Sequence, residues 1–341
     1  MQVAKVAVVG LGHNGCAWVR GYQESARAEV VGLCDLWPER LSAASGIAPQ
    51  ARVFSSLDEM LATAEPDVLS VHTPDHLHAE PFIVGLQAGC HVMVEKPFGN
   101  SLQDIERMVE AARHSDRKTQ VGHILRFNPL YAELARACGA GELGEIFYME
   151  ADYIHNLFGQ AAPERTNAYI GNENWYLRHE LPIVGGGVHQ LDLLRSFCGS
   201  DVVEVDGFGN SIAFPQMEHN DCMVAIFRFA GGACAKVAAL YGPVGDRPAF
   251  SNLAIYGTRG TFRGGKLMLG EGHDVETRDL AGLEIAGHPY DPQIEHFLDC
   301  IQEDRPTLVD AFSGANSAVA TVCAAEAIAE GRRMTVPVYR R

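Results

Sequence analysis

We predict an α/β protein in which an N-terminal, doubly wound parallel sheet precedes a C-terminal α+β domain with an open, largely antiparallel sheet. Up to about residue 120, short apolar runs alternate with helical patterns, as a parallel sheet with helical crossovers requires. Beyond residue 144, strand-like runs follow one another without intervening helices, which favours antiparallel pairing. The 341 residues suffice for two domains, and we place them at 1–123 and 124–341.

The first-domain elements begin with short runs that are apolar at nearly every position, the pattern of parallel strands buried on both faces. These runs lie at 6–9, 30–34, 68–71 and 92–94. Ser56 and Glu59 form a capping box that opens one helix, and Gly89 ends another. Apolar residues at helical spacing predict an amphipathic helix over 101–115.

The second-domain elements are separated mainly by Gly, Pro and Asn. Strand-like runs occupy 146–155, 203–213, 222–229, 233–241 and 252–256. Helical patterns cover 188–197, 293–302 and the Ala-rich stretch 311–330, which Gly331 closes. This order favours an antiparallel or mixed sheet.

The charge balance and the cysteine usage exclude several classes of protein. With 27 Lys and Arg against 43 Asp and Glu, the net charge is −16, so we expect no nucleic-acid partner and no anionic membrane surface. No apolar run approaches the roughly 18–20 residues of a membrane span, and we expect residues 1–12 to form a strand rather than a signal peptide. Nine cysteines without a C-x-x-C pair indicate free thiols in a reducing cytoplasm, not a disulfide framework or a metal site.

A G-x-G-x-x-G motif follows the first strand, and an acidic residue ends the second strand. Such a glycine turn lets a dinucleotide pyrophosphate approach the backbone and a helix N-terminus, while the acidic side chain binds the adenosine ribose. A carboxylate repels a 2′-phosphate, so NAD is favoured over NADP. The alternative, a glycine turn with a capping aspartate, does not account for all these parts in order. We assign to NAD binding Gly10, Gly12, His13, Asn14, Gly15 and Asp35.

Two further motifs follow strands of the predicted parallel sheet, at the edge where ligands of open α/β sheets bind. Thr73-Pro74 offers a hydroxyl and a fixed turn, although the segment could also be a helix entry, with His78 on the surface. Glu95-Lys96 places an ammonium group at a strand end, where it could polarise a substrate oxygen during hydride transfer. The alternative for Lys96 is an ion pair with Glu95, and position alone does not separate the two.

These motifs, in their order and spacing, resemble the glucose–fructose oxidoreductase/inositol dehydrogenase/MocA (Gfo/Idh/MocA) family. Glu95-Lys96-Pro97 is the most specific of them, and the segment 122–129 is similar to the family's domain junction. The resemblance covers essentially the whole chain. It implies an NAD(P)-binding Rossmann domain, a second domain for substrate binding and oligomerisation, and oxidoreductase activity on a sugar, polyol or related hydroxyl compound. It also implies that Lys96 lies beside the nicotinamide and that the cofactor site includes Thr73, Pro74, His78 and Glu95.

The second domain contributes a run of three glycines at 185–187 that leads into a helix. His189 and Asp192 stand three residues apart, so both can lie on one helical face, with the carboxylate orienting the imidazole. A histidine at a helix start is otherwise a cap or a packing residue. The family carries an aspartate at the position of Gly185, so one expected carboxylate is missing from this chain. Glu180 and Asp152 are the candidates to replace it.

Four further residues are candidates for substrate binding because a stacking aromatic ring and an arginine suit a sugar or an acidic substrate. A surface loop with a packed tryptophan explains each of them singly as well. They are Arg126, His155, Trp175 and Arg178.

We therefore expect a cytoplasmic NAD-dependent dehydrogenase of a sugar, inositol, polyol or glycoside, with Lys96, His189 and Asp192 as its catalytic residues. One alternative is a redox-neutral, NAD-dependent glycosidase or lyase on the same fold. Another is a ligand-sensing regulator, although the presence of both Lys96 and His189 argues against it. Alternating apolar strands in the second domain suggest a buried sheet face and hence a homodimer or homotetramer.

Overall fold

Six parallel strands form the first sheet, and their spatial order is β3-β2-β1-β4-β5-β6. The strands are β1 (Ala4–Val9), β2 (Ala28–Cys34), β3 (Arg52–Phe54), β4 (Val68–Val71), β5 (His91–Val94) and β6 (Thr119–Val121). The connecting helices are α1 (His13–Glu24), α2 (Pro38–Ile47), α3 (Leu57–Ala64), α4 (Ala79–Gln87) and α5 (Leu102–Arg113). The order reverses between β1 and β4, and in such sheets ligands bind outside the carboxyl ends of the strands at that point.

The second sheet has nine strands in the order β16-β15-β14-β13-β7-β12-β11-β10-β17, and only the β7–β12 pair is parallel. Its strands are β7 (Ile146–Ile154), β10 (Val202–Asn210), β11 (Cys222–Phe229), β12 (Cys234–Leu240), β13 (Ala254–Gly257), β14 (Gly260–Arg263), β15 (Lys266–Glu271), β16 (Asp274–Asp279) and β17 (Met334–Thr335). A separate hairpin pairs β8 (Tyr169–Ile170) with β9 (Glu173–Asn174). The later helices are α6 (Pro129–Gly139), α7 (Trp175–Arg178), α8 (Pro182–Gly185), α9 (Gly187–Cys198), α10 (Tyr290–Gln302) and α11 (Ala311–Glu330).

This computed structural model describes residues 3–158, 169–170, 173–245, 249–285 and 287–341. The chain divides into two units, the first comprising Met1–Ile124, His288–Ala315 and Tyr339–Arg341, and the second Leu125–Gly287 and Asn316–Val338. Residues 288–315 pack with the first unit because α10 turns Ile294, Phe297 and Leu298 into the core formed by β1 and α1. In the described part of the chain, no helix is both long enough and apolar enough to cross a bilayer.

The predicted fold class is confirmed: a doubly wound parallel sheet and a largely antiparallel sheet. The capping box is present, since the Ser56 hydroxyl accepts the Glu59 N–H at 3.3 Å. The sequence patterns missed β14 to β16; in β16 the residues are almost all exposed and show no apolar alternation. They also missed the short strand β6, whose three buried residues give no recognisable period.

Candidate active site

The glycine motif of the first unit forms a tight turn between β1 and α1. Gly10 has a φ of +85°, and a Cβ added there would lie 2.4 Å from the carbonyl carbon of His72. A Cβ at Gly15 would lie 1.9 Å from the Gly10 carbonyl oxygen. Only glycine allows the turn and the first residues of α1 to approach each other this closely.

The N-terminus of α1 is open to an anion. Gly12 precedes the helix without a side-chain cap, and a Cβ built on it would meet no atom within 4 Å. The first N–H groups of a helix lack intrahelical partners and carry a partial positive charge, which suits a pyrophosphate. His13 is exposed beside this space, whereas the Asn14 Oδ1 accepts the Tyr290 hydroxyl at 2.8 Å. The turn therefore fits the dinucleotide that the motif predicts.

Asp35 ends β2 beside this turn and organises it. The Leu11 N–H donates to Asp35 Oδ2 at 2.7 Å, and the Trp37 N–H donates to Oδ1 at 3.0 Å. The carboxylate thus has the capping role that the sequence left as an alternative, and each oxygen keeps a lone pair for a ribose hydroxyl. The Arg40 Nη1 lies 3.9 Å from Oδ2, so one positive charge is close to the predicted ribose position.

His78 is buried and connects two of the motifs. One ring nitrogen, Nδ1, lies 2.8 Å from the Pro97 carbonyl oxygen, and Nε2 lies 3.0 Å from the Thr73 carbonyl oxygen. Burial lowers the pKa of His78, while the two carbonyl contacts oppose this change. The Thr73 hydroxyl donates to the Leu77 carbonyl at 3.0 Å, next to Pro74. The ring of His78 therefore ties the segment after β4 to the segment after β5.

The Glu95 carboxylate is buried and held by groups of the first unit. The Trp18 indole N–H donates to Oε1 at 2.9 Å, and the Lys96 backbone N–H donates to Oε2 at 3.1 Å. A Cβ at Gly122 would lie 2.9 Å from Glu95 Oε2, so glycine there leaves room for the carboxylate. The Lys96 ammonium is also near Asp75: burial raises the pKa of Asp75, and the Lys96 charge opposes that rise. Lys96 thus follows an anchored glutamate at the carboxyl edge of the sheet.

The three glycines of the second unit are approached by side chains of the same unit. A Cβ at Gly185 would lie 2.4 Å from Glu180 Oε1, and a Cβ at Gly186 would lie 2.3 Å from the Tyr153 ring. Asp152 is held elsewhere, by the Lys236 ammonium at 2.7 Å and the Asn252 amide at 2.8 Å. Of the two candidate carboxylates, Glu180 is therefore the one beside position 185.

His189 lies in the first turn of α9, half-buried, with the Tyr153 ring stacked on it at 6.0 Å between centroids and 19° between planes. Asp192, one turn later, is buried and accepts Arg126 Nε at 2.6 Å and Nη2 at 3.1 Å. The Ser317 hydroxyl also donates to Asp192, at 2.9 Å. Arg126, a predicted substrate residue, is thus engaged with the predicted catalytic carboxylate.

The other predicted substrate residues have different surroundings. The Tyr153 hydroxyl and the buried His155 Nδ1 are 3.1 Å apart, and the Trp175 indole N–H donates to Glu180 Oε2 at 2.8 Å. Arg178 is exposed and pairs with Glu218 at 3.0 Å. His155 and Trp175 therefore belong to the surroundings of Glu180 and Tyr153, whereas Arg178 lies on the surface.

Sequence reasoning missed several residues that support these sites. Trp18 donates to Glu95 and Gly122 leaves room for its carboxylate, Ser317 donates to Asp192, and the Tyr241 hydroxyl donates to Glu180 Oε1. Trp18 lies on the buried face of an amphipathic helix, and its indole N–H, which seeks a partner when buried, was the available signal. Ser317 and Tyr241 belong to no local motif, so no comparable signal marks them.

Two family models match the chain. The model described as "Oxidoreductase family, NAD-binding Rossmann fold" matches residues 4–123, and the "GFO/IDH/MocA C-terminal domain" matches residues 131–263. The glycine turn, Asp35 and Lys96 lie within the first match, and Tyr153, Glu180 and His189 within the second.

Known proteins are similar over different lengths. An uncharacterised oxidoreductase of Streptococcus pneumoniae is 35% identical over 62% of this chain, and the match spans 54%, about half, of that relative. The scyllo-inositol 2-dehydrogenase (NAD⁺) of Bacillus subtilis is 24% identical over 83% of this chain and 81% of its own. The crystal structure of the WlbA dehydrogenase from Bordetella pertussis, in complex with NADH and UDP-GlcNAcA, has a TM-score of 0.82 at 24% identity and covers 99% of both chains. That likeness concerns the fold.

Proposed function

The chain belongs to the Gfo/Idh/MocA oxidoreductase family, and from this premise we propose that it is an NAD-dependent dehydrogenase of a sugar, inositol, polyol or glycoside. The observation that carries the proposal is the glycine turn. A Cβ at Gly15 would lie 1.9 Å from the Gly10 carbonyl oxygen, so only glycine fits there, and at Gly12 the N-terminus of α1 faces open space. The inositol dehydrogenase among the similar proteins supports the substrate class. Activity on a hydroxyl-bearing carbon is the function that these features support best.

In the proposed mechanism, the first unit binds NAD through the amides of the glycine turn and through Asp35. NAD bound there would supply the acceptor for the hydride of the substrate carbon. The Lys96 ammonium polarises the substrate oxygen, and Glu95 fixes the backbone from which Lys96 projects through its bond to the Lys96 N–H. Asp35 favours NAD over NADP because its charge opposes a 2′-phosphate, although Arg40 lies nearby.

In the second unit, we assign His189 to the hydroxyl proton, which moves to an imidazole nitrogen as the carbon loses its hydride. The products are then a carbonyl compound, NADH and a proton that His189 returns to water. Asp192, held by Arg126 and Ser317, is the carboxylate that we assign to orienting His189 from the same helix. His155 and Trp175 remain candidates for substrate contact.

We also propose that the chain forms a homodimer or homotetramer through the second sheet. Asp206 pairs with Ile226 and Phe208 with Val224, so these side chains share one face, and Phe208 is 85% exposed. Exposed apolar side chains on a sheet face are typical of association surfaces. Light scattering after gel filtration would show a smaller particle for Ile226→Glu than for the wild type; equal masses would contradict this assignment.

A cytoplasmic location also remains a prediction, based on the nine cysteines.

The test of the activity is a screen for NAD reduction with sugars, inositols, sugar acids and glycosides. We expect NADH to form with at least one class, and we expect Lys96→Met to slow its formation by ~10²–10⁴ while the variant still binds NADH. Cleavage of a glycoside without net NADH would identify the redox-neutral alternative. NADH binding with neither outcome in any class would refute the dehydrogenase proposal and favour a sensor.

A further inference from the structure

The second unit places a carboxylate where position 185 has no side chain. A Cβ built on Gly185 would lie 2.4 Å from Glu180 Oε1 and 2.8 Å from Oε2. Glu180 is 6% exposed, so its carboxylate has little room to withdraw. The volume that the first side-chain atom of residue 185 would occupy is therefore filled by Glu180.

Two hydrogen-bond donors fix the Glu180 carboxylate at this place. The Trp175 indole N–H donates to Oε2 at 2.8 Å, and the Tyr241 hydroxyl donates to Oε1. Burial, together with the charge of Glu180, raises the pKa of Tyr241 well above its usual range, so that hydroxyl keeps its proton and remains a donor. These two donors, on different oxygens, orient the carboxylate.

Position 185 ends α8 four residues before His189, and Gly186 joins it to α9. The backbone stays right-handed helical through Gly186, at φ −99° and ψ −56°, and the His189 N–H donates to the Gly186 carbonyl at 3.1 Å. Side chains four residues apart on a helix have Cβ atoms about 5–6 Å from each other. Tyr153 closes the group, because its ring contacts the position of a Gly186 Cβ and stacks on His189.

We propose that Glu180 is a positioning residue for His189, and that it supplies from the segment before α8 the negative charge that an acidic residue at 185 would supply. Gly185 is then required because Glu180 needs the space. This inference rests on the proposed function, in which His189 accepts the hydroxyl proton. A nearby carboxylate stabilises the imidazolium that forms when it does so.

Other titratable groups face this part of the second unit and must be separated from Glu180 in any test. The charge of Asp192, on the same helix as His189, is matched by Arg126. Other titratable groups of the described residues lie here too: Tyr153 of β7, His155 after it, Tyr176 of α7, His179, whose ring is 5.3 Å from that of Trp175, and Tyr241 after β12.

The first measurement is a thermal unfolding cycle with Glu180→Ala, Gly185→Asp and the double variant. We expect Gly185→Asp alone to lower the midpoint by about 5 °C or more, because it adds a side chain and a like charge against Glu180. In the Glu180→Ala background, the same change should cost less than half as much. Additive effects would overturn the proposal. Gly185→Ala, which adds only the Cβ, provides the same comparison if Gly185→Asp does not fold.

The second measurement is the titration of the His189 ring by NMR, with its signal assigned by its loss in His189→Gln. Removing the Glu180 charge with Glu180→Gln should lower the pKa of His189 by about one unit, and the double variant Glu180→Ala/Gly185→Asp should restore it. The matched control is Asp152→Asn, since Asp152 is also 6% exposed in this unit but is held by Lys236 and Asn252. An unchanged His189 pKa in Glu180→Gln, or an equal fall in Asp152→Asn, would overturn the proposal.

Both measurements are made without a substrate, so they remain decisive if the screen for NAD reduction fails. Where the activity is present, Glu180→Gln should shift the pH–rate limb in the direction of the NMR titration and leave NADH affinity unchanged. A lower NADH affinity with an unshifted limb would show that Glu180 acts on the structure generally, and would refute its assignment to His189.

Discussion

In the first unit, the groups proposed to bind NAD are mainly backbone atoms within one short motif, whereas in the second unit the surroundings of His189 are side chains from separate segments. Gly10, Gly12 and Gly15 are close in sequence, and Asp35 joins them through the Leu11 N–H. In the second unit, by contrast, Tyr153 of β7 stacks on His189, and Glu180, before α8, is held by Trp175 of α7 and by Tyr241 after β12.

The first site therefore tolerates no added side chain, whereas a charge in the second site can come from another segment. A backbone turn depends on the absence of a Cβ, since a Cβ at Gly15 would lie 1.9 Å from a carbonyl oxygen. A side-chain cluster needs a charge in a given volume, and that charge can come from any neighbouring segment. Under our proposal, Glu180 provides that charge from the place that a Gly185 side chain would occupy.

The largest expected effect tests the chemical group of the first unit. Lys96→Met should lower turnover by ~10²–10⁴, the range for removing a positioned electrostatic or acid–base group, while NADH binding is retained. Steady-state rates and fluorescence titration with NADH measure the two separately. Lys118→Met is the control, since Lys118 pairs with the exposed Asp304 at 2.7 Å. Near-normal turnover in Lys96→Met would mean that Lys96 is structural.

The next effect tests the corresponding group of the second unit. His189→Gln should lower the rate by ~10²–10³ and should abolish the rise of oxidation with pH, because an ordinary imidazole becomes a base above about pH 6.5. The pH–rate profile is the measurement, and the exposed His114→Gln is the control. A profile that keeps its limb in His189→Gln would assign the base to another group, such as Lys96.

The charge at the ribose position provides a smaller effect in the first unit. Asp35→Ser should reduce the preference for NAD over NADP by ~10², because the repulsion of a 2′-phosphate is removed and Arg40 remains nearby. The ratio of kcat/KM for the two cofactors measures this preference. Asp35→Asn retains an acceptor for Leu11 or Trp37 and so separates charge from loop support. Equal use of both cofactors by the wild type would contradict the assignment.

A single methyl group tests whether the first site really depends on its backbone. Gly15→Ala should raise the NADH dissociation constant by at least ~10-fold, because the new Cβ forces the turn away from the Gly10 carbonyl. Gly46→Ala is the matched control on α2, where a Cβ meets no atom within 4 Å. If both variants bind NADH like the wild type, NADH binding does not depend on the close approach of Gly15 to the Gly10 carbonyl.

The same contrast decides how much the sequence could predict. The strands β1, β2, β4 and β5 and the glycine turn follow from local patterns, so their existence and their order were predictable. Glu180 was a candidate on the sequence, but its place beside Gly185 depends on the side chains of Trp175 and Tyr241, which no local spacing encodes.

The contacts of Asp192 show more clearly what the sequence could not predict. Its spacing from His189 predicts a shared helical face, and the fold places both on α9. The sequence could not show that Arg126 and Ser317 would bond to its carboxylate, because these residues are 66 and 125 positions away. Arg126 was assigned to the substrate for the same reason: a motif reveals a residue type, whereas its partner depends on the tertiary fold.

The smallest expected effect is a loss of folding stability in acid, which we expect to arise in the first unit. His91 begins β5, and its Nδ1 accepts the Lys118 N–H at 2.9 Å. Burial, reinforced by the charge of Arg117, lowers the pKa of His91 from 6.5 to about 4. The unfolded chain therefore binds more protons than the folded chain between these values. The stabilisation is complete above about pH 6.5 and is lost as the pH falls towards about 4.

At about pH 5, this loss amounts to on the order of 1–2 kcal/mol for His91, after allowance for its partial contact with solvent. Urea unfolding from about pH 7.5 to about pH 5 should show a shallower loss of stability in His91→Asn, which has no proton to bind yet keeps an acceptor for Lys118. The exposed His273→Gln, on the second sheet, should follow the wild type. If His91→Asn and the wild type lose stability in parallel, then His91 is not the group that binds the proton, and the buried His72, whose pKa burial lowers to about 3, becomes the next to test.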